Sequence, residues 1–160
     1  MADALFGAVS LPRRVKGQTW DNRLKAIVRA IRRALLTHRD GARVFAGTYV
    51  PTDNVLRVAD AMMALMQEAG ASPKLSSDGA FSLVYYALGF TMEEQDLDPR
   101  RGGPLDIADR QAKLANLAAS KYPSIHAALH RLFDTNLDDR FEEGLDFFIL
   151  GLKARIDTVP

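Results

Sequence analysis

"PKLSSDGAFSLVYYALGFTMEEQD", residues 73–96, decides the fold. Phe81, Leu83, Val84, Tyr85, Tyr86, Leu88, Phe90 and Met92 spread over nearly the whole circumference of a helix, not along one stripe. A helix that is apolar all round must be covered on more than one side. The segment is therefore a central helix, and the question becomes what covers it.

Two amphipathic helices precede it. In "TWDNRLKAIVRAIRRALLTHRDG" (19–41), Trp20, Leu24, Ile27, Val28, Ile31, Ala34 and Leu35 follow the 3.6-residue period. Thr19 or Asp21 can cap its start and Gly41 is expected to end it. In "TDNVLRVADAMMALMQEAG" (52–70), Val55, Ala59, Met62, Met66 and Ala69 repeat the pattern, and Gly70 stands where a helix C-terminus favours glycine. "DPRRGGP" (98–104) is a loop signal, after which two shorter helices are expected over 105–120 and 123–135. The last helix, 138–158, carries Phe141, Leu145, Phe148, Leu152 and Ile156 on one stripe. Gly144 and Gly151 share nearly one azimuth on it and would let another helix approach closely. No alternating segment is long enough for a strand, so the fold class is all-α.

The 160 residues fit one domain with a real core. There is no cysteine, which excludes disulfides, thiolate metal sites and cysteine nucleophiles and fits a reducing cytoplasm. No run approaches the ~20 apolar residues of a membrane span, so the expected partners do not include a membrane. Charge is unevenly distributed: residues 1–43 hold ten Lys/Arg against three Asp/Glu, a net of +7, and the remainder a net of −6. Lys25, Arg29, Arg32 and Arg33 fall on the polar side of the first long helix, where solvated charge is the ordinary explanation. Catalysis has no visible basis: no Gly-rich phosphate loop, no nucleophile-elbow serine and no convincing acid pair, so an enzyme is not expected. His126, His130 and Asp134 stand one turn apart, but no zinc-hydrolase glutamate accompanies the pair; neither a metal nor another cofactor is expected.

Between the two amphipathic helices lies "HRDGARVFAGTYVP" (38–51), a turn of helix too poor in apolar residues to stand alone. It is expected to form the inner wall of a ligand pocket. The helices at 75–96 and 138–158 carry more aromatic surface than their amphipathic neighbours can cover. Pairing them with their copies in a second chain would make a twofold four-helix bundle.

"LLTHRDGARVFAGTYVP", a helix ending "MQEAG", then "YYALGFTMEEQ" and "RFEEGLDFFILGLKARI" occur in an order that resembles the C-terminal regulatory domain of the tetracycline-repressor (TetR) family, over about Trp20 to Ile156. The resemblance implies an effector-sensing transcriptional regulator that is a homodimer, with Tyr86, Gly89, Phe90, Phe141, Gly144, Phe148 and Gly151 at the interface. It divides the chain into 1–16, the end of a connecting helix and linker, and 17–160, the effector-binding and dimerisation domain. DNA contact would belong to a helix-turn-helix module that is not expected within these residues. The implied ligand site comprises Phe45, Thr48, Tyr49, Met62, Met63, Met66, Phe81, Tyr85 and Glu93, with Trp20 as a further candidate. Glu93 matches the family's drug-site glutamate, but Phe45 replaces its histidine, Tyr49 its arginine and Met62 its glutamine. These departures point away from a metal-bound tetracycline and toward an apolar or planar aromatic effector in a deformable, methionine-containing pocket. Repression relieved by that small molecule is the behaviour the resemblance implies; a stand-alone small-molecule binding protein and a purely structural dimerisation module are the other readings.

Overall fold

The computed structural model describes residues 2–46, 51–97 and 107–158, with side chains described except at 107–109 and 120. Among the described residues the chain is helical, in the order α1 (Ala2–Gly7), α2 (Trp20–Leu36), α3 (Gly41–Ala46), α4 (Asp53–Glu68), α5 (Pro73–Asp96), α6 (Ile107–Lys121), α7 (Pro123–Ala127), α8 (Leu129–Leu132) and α9 (Leu137–Asp157). No strand occurs among them. No helix among them is long and apolar enough to cross a membrane.

Local sequence accounts for most of the boundaries. Ser72 accepts a hydrogen bond from the Leu75 N–H at 3.2 Å, and Pro73 occupies the first turn, where its missing N–H costs nothing. At the end of α4, Gly70 takes φ +100°. Its N–H bonds Gln67 O, and the Ala71 N–H reaches Met66 O. This is the paired closure that a left-handed residue after a helix permits. Thr19 precedes α2, but its side chain makes no capping bond. The Asp21 carboxylate turns instead to Lys153 of α9, 2.6 Å away.

Gly41 departs from expectation. The helix ends at Leu36, and Gly41 opens α3 instead of closing α2. The reason is steric: a Cβ at Gly41 would lie 2.1 Å from Leu35 O, so the chain can fold back onto the end of α2 only through glycine. The helix expected over 123–135 is broken at Ala128 into α7 and α8, so His126 and His130 stand on different elements. The Asp134 carboxylate is engaged by Arg131 at 2.6 Å and by the Asn136 N–H. Its pKa is lowered, first by that backbone hydrogen bond and also by Arg131.

α5 is central, packing against α2, α3, α4 and α9. Its Leu83 and Ala87 and α2's Leu24, Ile27, Val28, Ile31 and Leu35 are fully buried. Met62 and Met66 of α4 join this core. Most of the basic polar side of α2 is paired within the chain, while Arg33 stays exposed. Arg29 forms a two-bond fork with Glu142 at 2.6 Å, and Arg23 and Lys25 pair with Glu68 and Asp146. Arg32 is buried, a correction to its reading as a solvated charge. It forks onto Glu94 at 2.7 and 2.8 Å and reaches Asp138 at 2.8 Å. Burial opposes its charge, but Glu94 and Asp138 more than offset that, leaving the guanidinium above its ordinary pKa. Part of the basic N-terminal segment thus pairs with acids of the remainder across the α2–α4, α2–α5 and α2–α9 contacts.

Candidate functional site

On the side of α5 away from α9 the packing is incomplete. α1, α3, α4 and α5 surround a cavity of about 450 Å³. α5 contributes Ala80, Phe81, Val84, Tyr85 and Leu88, spaced so that one face of the helix points inward. α4 contributes Val55, Leu56, Val58, Ala59 and Met63. α1 and α3 close the wall with Phe6 and Phe45, whose rings stack with centroids 4.2 Å apart and planes 15° apart. Leu56, Phe81 and Tyr85 are 55%, 53% and 57% exposed, which makes them the rim. Among the described lining residues the Tyr85 hydroxyl is the only polar side-chain group. Such a wall offers dispersion and ring stacking, and it gives a charged ligand nothing to offset its desolvation.

Four of the residues expected at the site meet here: Phe45, Met63, Phe81 and Tyr85. Met62 and Met66 do not. Both are fully buried, one turn apart on the azimuth of α4 that faces the core; a Cβ on Gly79 of α5 would come within 2.9 Å of the Met66 sulfur. Met62 and Met66 share one stripe with Val55 and Ala59, which do line the wall, so the helical period does not separate the two sets; burial against the core does. Glu93 is exposed, two turns beyond Tyr85, and is not among the described lining residues. Trp20 is partly buried against the core at the start of α2. Thr48 and Tyr49 lie outside the described residues. Phe6 was missed: it sits in the short apolar run "ALFGAV", whose periodicity is too brief to mark it.

The residues expected between subunits fall into two groups. Tyr86, Phe90, Phe141 and Phe148 form an aromatic cluster within the chain. Tyr86 lies 5.2 Å from Phe141 and 5.1 Å from Phe148 between centroids, and Phe90 meets Phe141 edge-on at 5.1 Å. Phe141 is fully buried and has no surface left for a partner, correcting its reading as an interface residue. Gly144 serves the same contact: a Cβ there would lie 2.2 Å from the Tyr86 hydroxyl, so the close approach it permits is made by Tyr86 of its own chain. Gly89 and Gly151, in contrast, face open space, and Phe147 and Leu150 beside Gly151 are 75% and 62% exposed.

The family of tetracyclin repressor-like C-terminal domains matches residues 11–156. Tetracycline repressor protein class A from transposon 1721 of Escherichia coli is 33% identical over 136 residues, covering 85% of this chain and 59% of that protein. A possible TetR family transcriptional regulator from Streptomyces coelicolor A3(2) superposes with a TM-score of 0.83 at 38% identity, over 96% of this chain and 75% of that one. The Streptomyces coelicolor TetR family protein ActR, solved in complex with actinorhodin, gives 0.85 at 25% identity, over 97% and 73%. The chain spans about three fifths of the length of the curated repressors it matches. With its helix order, central α5 and matched span together, the chain belongs to the tetracycline-repressor-like C-terminal domain family.

Proposed function

We propose that the cavity between α1, α3, α4 and α5 is the effector site of a TetR-type transcriptional regulator. In this reading an uncharged apolar or planar aromatic molecule binds against Phe45, Met63, Phe81 and Tyr85. The observation that carries it is the Phe6–Phe45 stack, which is at once cavity wall and the contact between α3 and α1. A ligand pressing on Phe45 therefore acts on α1, and the size of the response is limited by the ligand's differential affinity for the two packings. Two features support the ligand class: the wall carries no charged side chain among its described residues, and the related ActR is solved with a small molecule bound. The same reading makes the protein a homodimer through α5 and α9, using the open face at Gly89, Phe147, Leu150 and Gly151. It makes DNA binding the work of a helix-turn-helix module and makes ligand the signal that relieves repression.

Native mass spectrometry of the protein as purified from cells, with titration by the neutral aromatic fluorophore N-phenyl-1-naphthylamine, tests this. A dimer that takes up the fluorophore, with affinity lowered about tenfold by Phe45→Ala, is the expected result. A monomer, or fluorophore binding unaffected by Phe45→Ala and Phe81→Ala alike, sinks the reading.

A further inference from the structure

α1 packs against α2, α3 and α4, and mostly against the first two turns of α4. Asp3 accepts two hydrogen bonds from Asn54, one from the side-chain Nδ2 at 3.0 Å and one from the backbone N–H at 3.3 Å. At the other end, Arg57 Nη2 donates to Phe6 O at 3.1 Å, which also accepts from the Val9 N–H, and to Val9 O, just beyond α1, at 3.2 Å. Gly7 lies against Asn54: a Cβ there would meet its Nδ2 at 3.3 Å. The neighbouring Thr52 hydroxyl and the Asn54 donors hold the Asp3 carboxyl below its usual range.

Asn54 and Arg57 are three residues apart and share one azimuth of α4. Val55, Val58 and Ala59, interleaved with them, face the cavity. Phe6 is held from both sides: its ring belongs to the cavity wall and its carbonyl to Arg57.

We propose that Asp3, Asn54 and Arg57 form a two-point clamp that makes α1 follow the cavity wall of α4, so that Asn54 and Arg57 are positioning residues for the ligand response although neither lines the cavity. A shift of the first turns of α4 on ligand entry is passed to both ends of α1 through the clamp, in parallel with the Phe6–Phe45 stack. The clamp itself needs only the contacts above; its role in signalling rests on the cavity being the effector site.

Hydrogen–deuterium exchange of the whole chain separates the two statements. Without ligand, Arg57→Met and Asn54→Ala are each expected to speed exchange in residues 3–9 about tenfold while α2 and α5 stay as in the parent protein. Methionine keeps much of the arginine stem, and two independent variants guard against one of them misfolding. Unchanged α1 exchange in both overturns the clamp, whatever the cavity binds. With saturating N-phenyl-1-naphthylamine, the parent protein is expected to show a ligand-dependent change in α1 protection. In Arg57→Met that change should fall to less than about one third, while fluorophore affinity moves by less than about threefold. A purely structural role would shift free and bound states equally and leave the difference intact; that outcome overturns the coupling and assigns the response to the Phe6–Phe45 stack. Failure of the parent protein to bind the fluorophore overturns the effector-site reading, and the coupling role with it, in a measurement that involves no clamp variant.

Discussion

Tyr85 and Tyr86 are adjacent on α5 and end in opposite surroundings. Tyr85 stands at the rim of a cavity, more than half exposed, among Phe81, Val84 and Met63. Tyr86 is packed between Phe141 and Phe148, and its hydroxyl donates to Phe141 O at 2.9 Å. Each side of the helix carries aromatic residues in i, i+4 pairs: Phe81 with Tyr85, and Tyr86 with Phe90. What differs is the element opposite. On the α9 side Gly144 leaves room for a ring, and the Arg32 guanidinium lies 4.7 Å from the Phe141 centroid and 5.4 Å from that of Phe90, adding cation–π attraction to the packing. On the α4 side the facing residues include Ala59, Val55 and Val58, whose small volumes leave the space open. At Tyr86 the aromatic side is a filled core, and at Tyr85 it borders a cavity.

Truncation should expose this contrast most strongly. Phe141→Ala is expected to cost about 3–5 kcal/mol in urea unfolding, because its ring is fully buried. Phe81→Ala, removing a half-exposed ring, should cost less than about 1.5 kcal/mol; equal losses would break the comparison. The glycines give the next effect. Gly144→Ala drives a methyl into Tyr86 and should destabilise by about 1–3 kcal/mol. Gly151→Ala meets nothing within 4 Å and should be neutral or gain up to about 1 kcal/mol of helix propensity within the chain. Similar unfolding midpoints for the two variants would show that Tyr86 yields easily.

Filling the hollow side sharpens the comparison further. Ala59→Leu should lower affinity for N-phenyl-1-naphthylamine at least about tenfold while leaving stability within about 1 kcal/mol. Undiminished binding would place the fluorophore elsewhere. The smallest effect concerns protons. Burial pushes the Tyr86 hydroxyl up from 10.0 to about 12, with Arg32 opposing and Glu142 adding to the rise. The folded state therefore holds this proton more tightly than the unfolded chain. Its contribution to stability is fully present below pH 10 and lost as pH rises toward 12. Tyr86→Phe should flatten that part of the stability profile; an unchanged slope would show that Tyr86 ionises freely.

Much of the fold was legible because its signals are local. Ser72 and Pro73 mark the start of α5, Gly70 the end of α4, and the apolar period marks the long helices. The site was only partly legible. Of the residues expected there, Phe45, Met63, Phe81 and Tyr85 line the cavity, while Met62 and Met66 are buried in the core. Val55, Ala59, Met62 and Met66 fall within about 60° of one another on α4, so the helical period by itself does not say which of them borders a cavity. Gly41 shows the same limit in the backbone: its reading as a helix end failed because the relevant neighbour, Leu35 O, is reached only after the chain turns back.

By itself the sequence determined an all-helical chain, the place of each long helix, and the fact that α5 must be covered on several sides, because these follow from propensity, capping and periodicity within one segment. Tertiary structure decided which aromatic side of α5 is filled, where the basic face of α2 finds its acids, and that Phe6 of α1 meets Phe45 of α3. Those outcomes depend on the distance between elements far apart in the chain, and that distance is set by the sizes of facing side chains once the helices have packed.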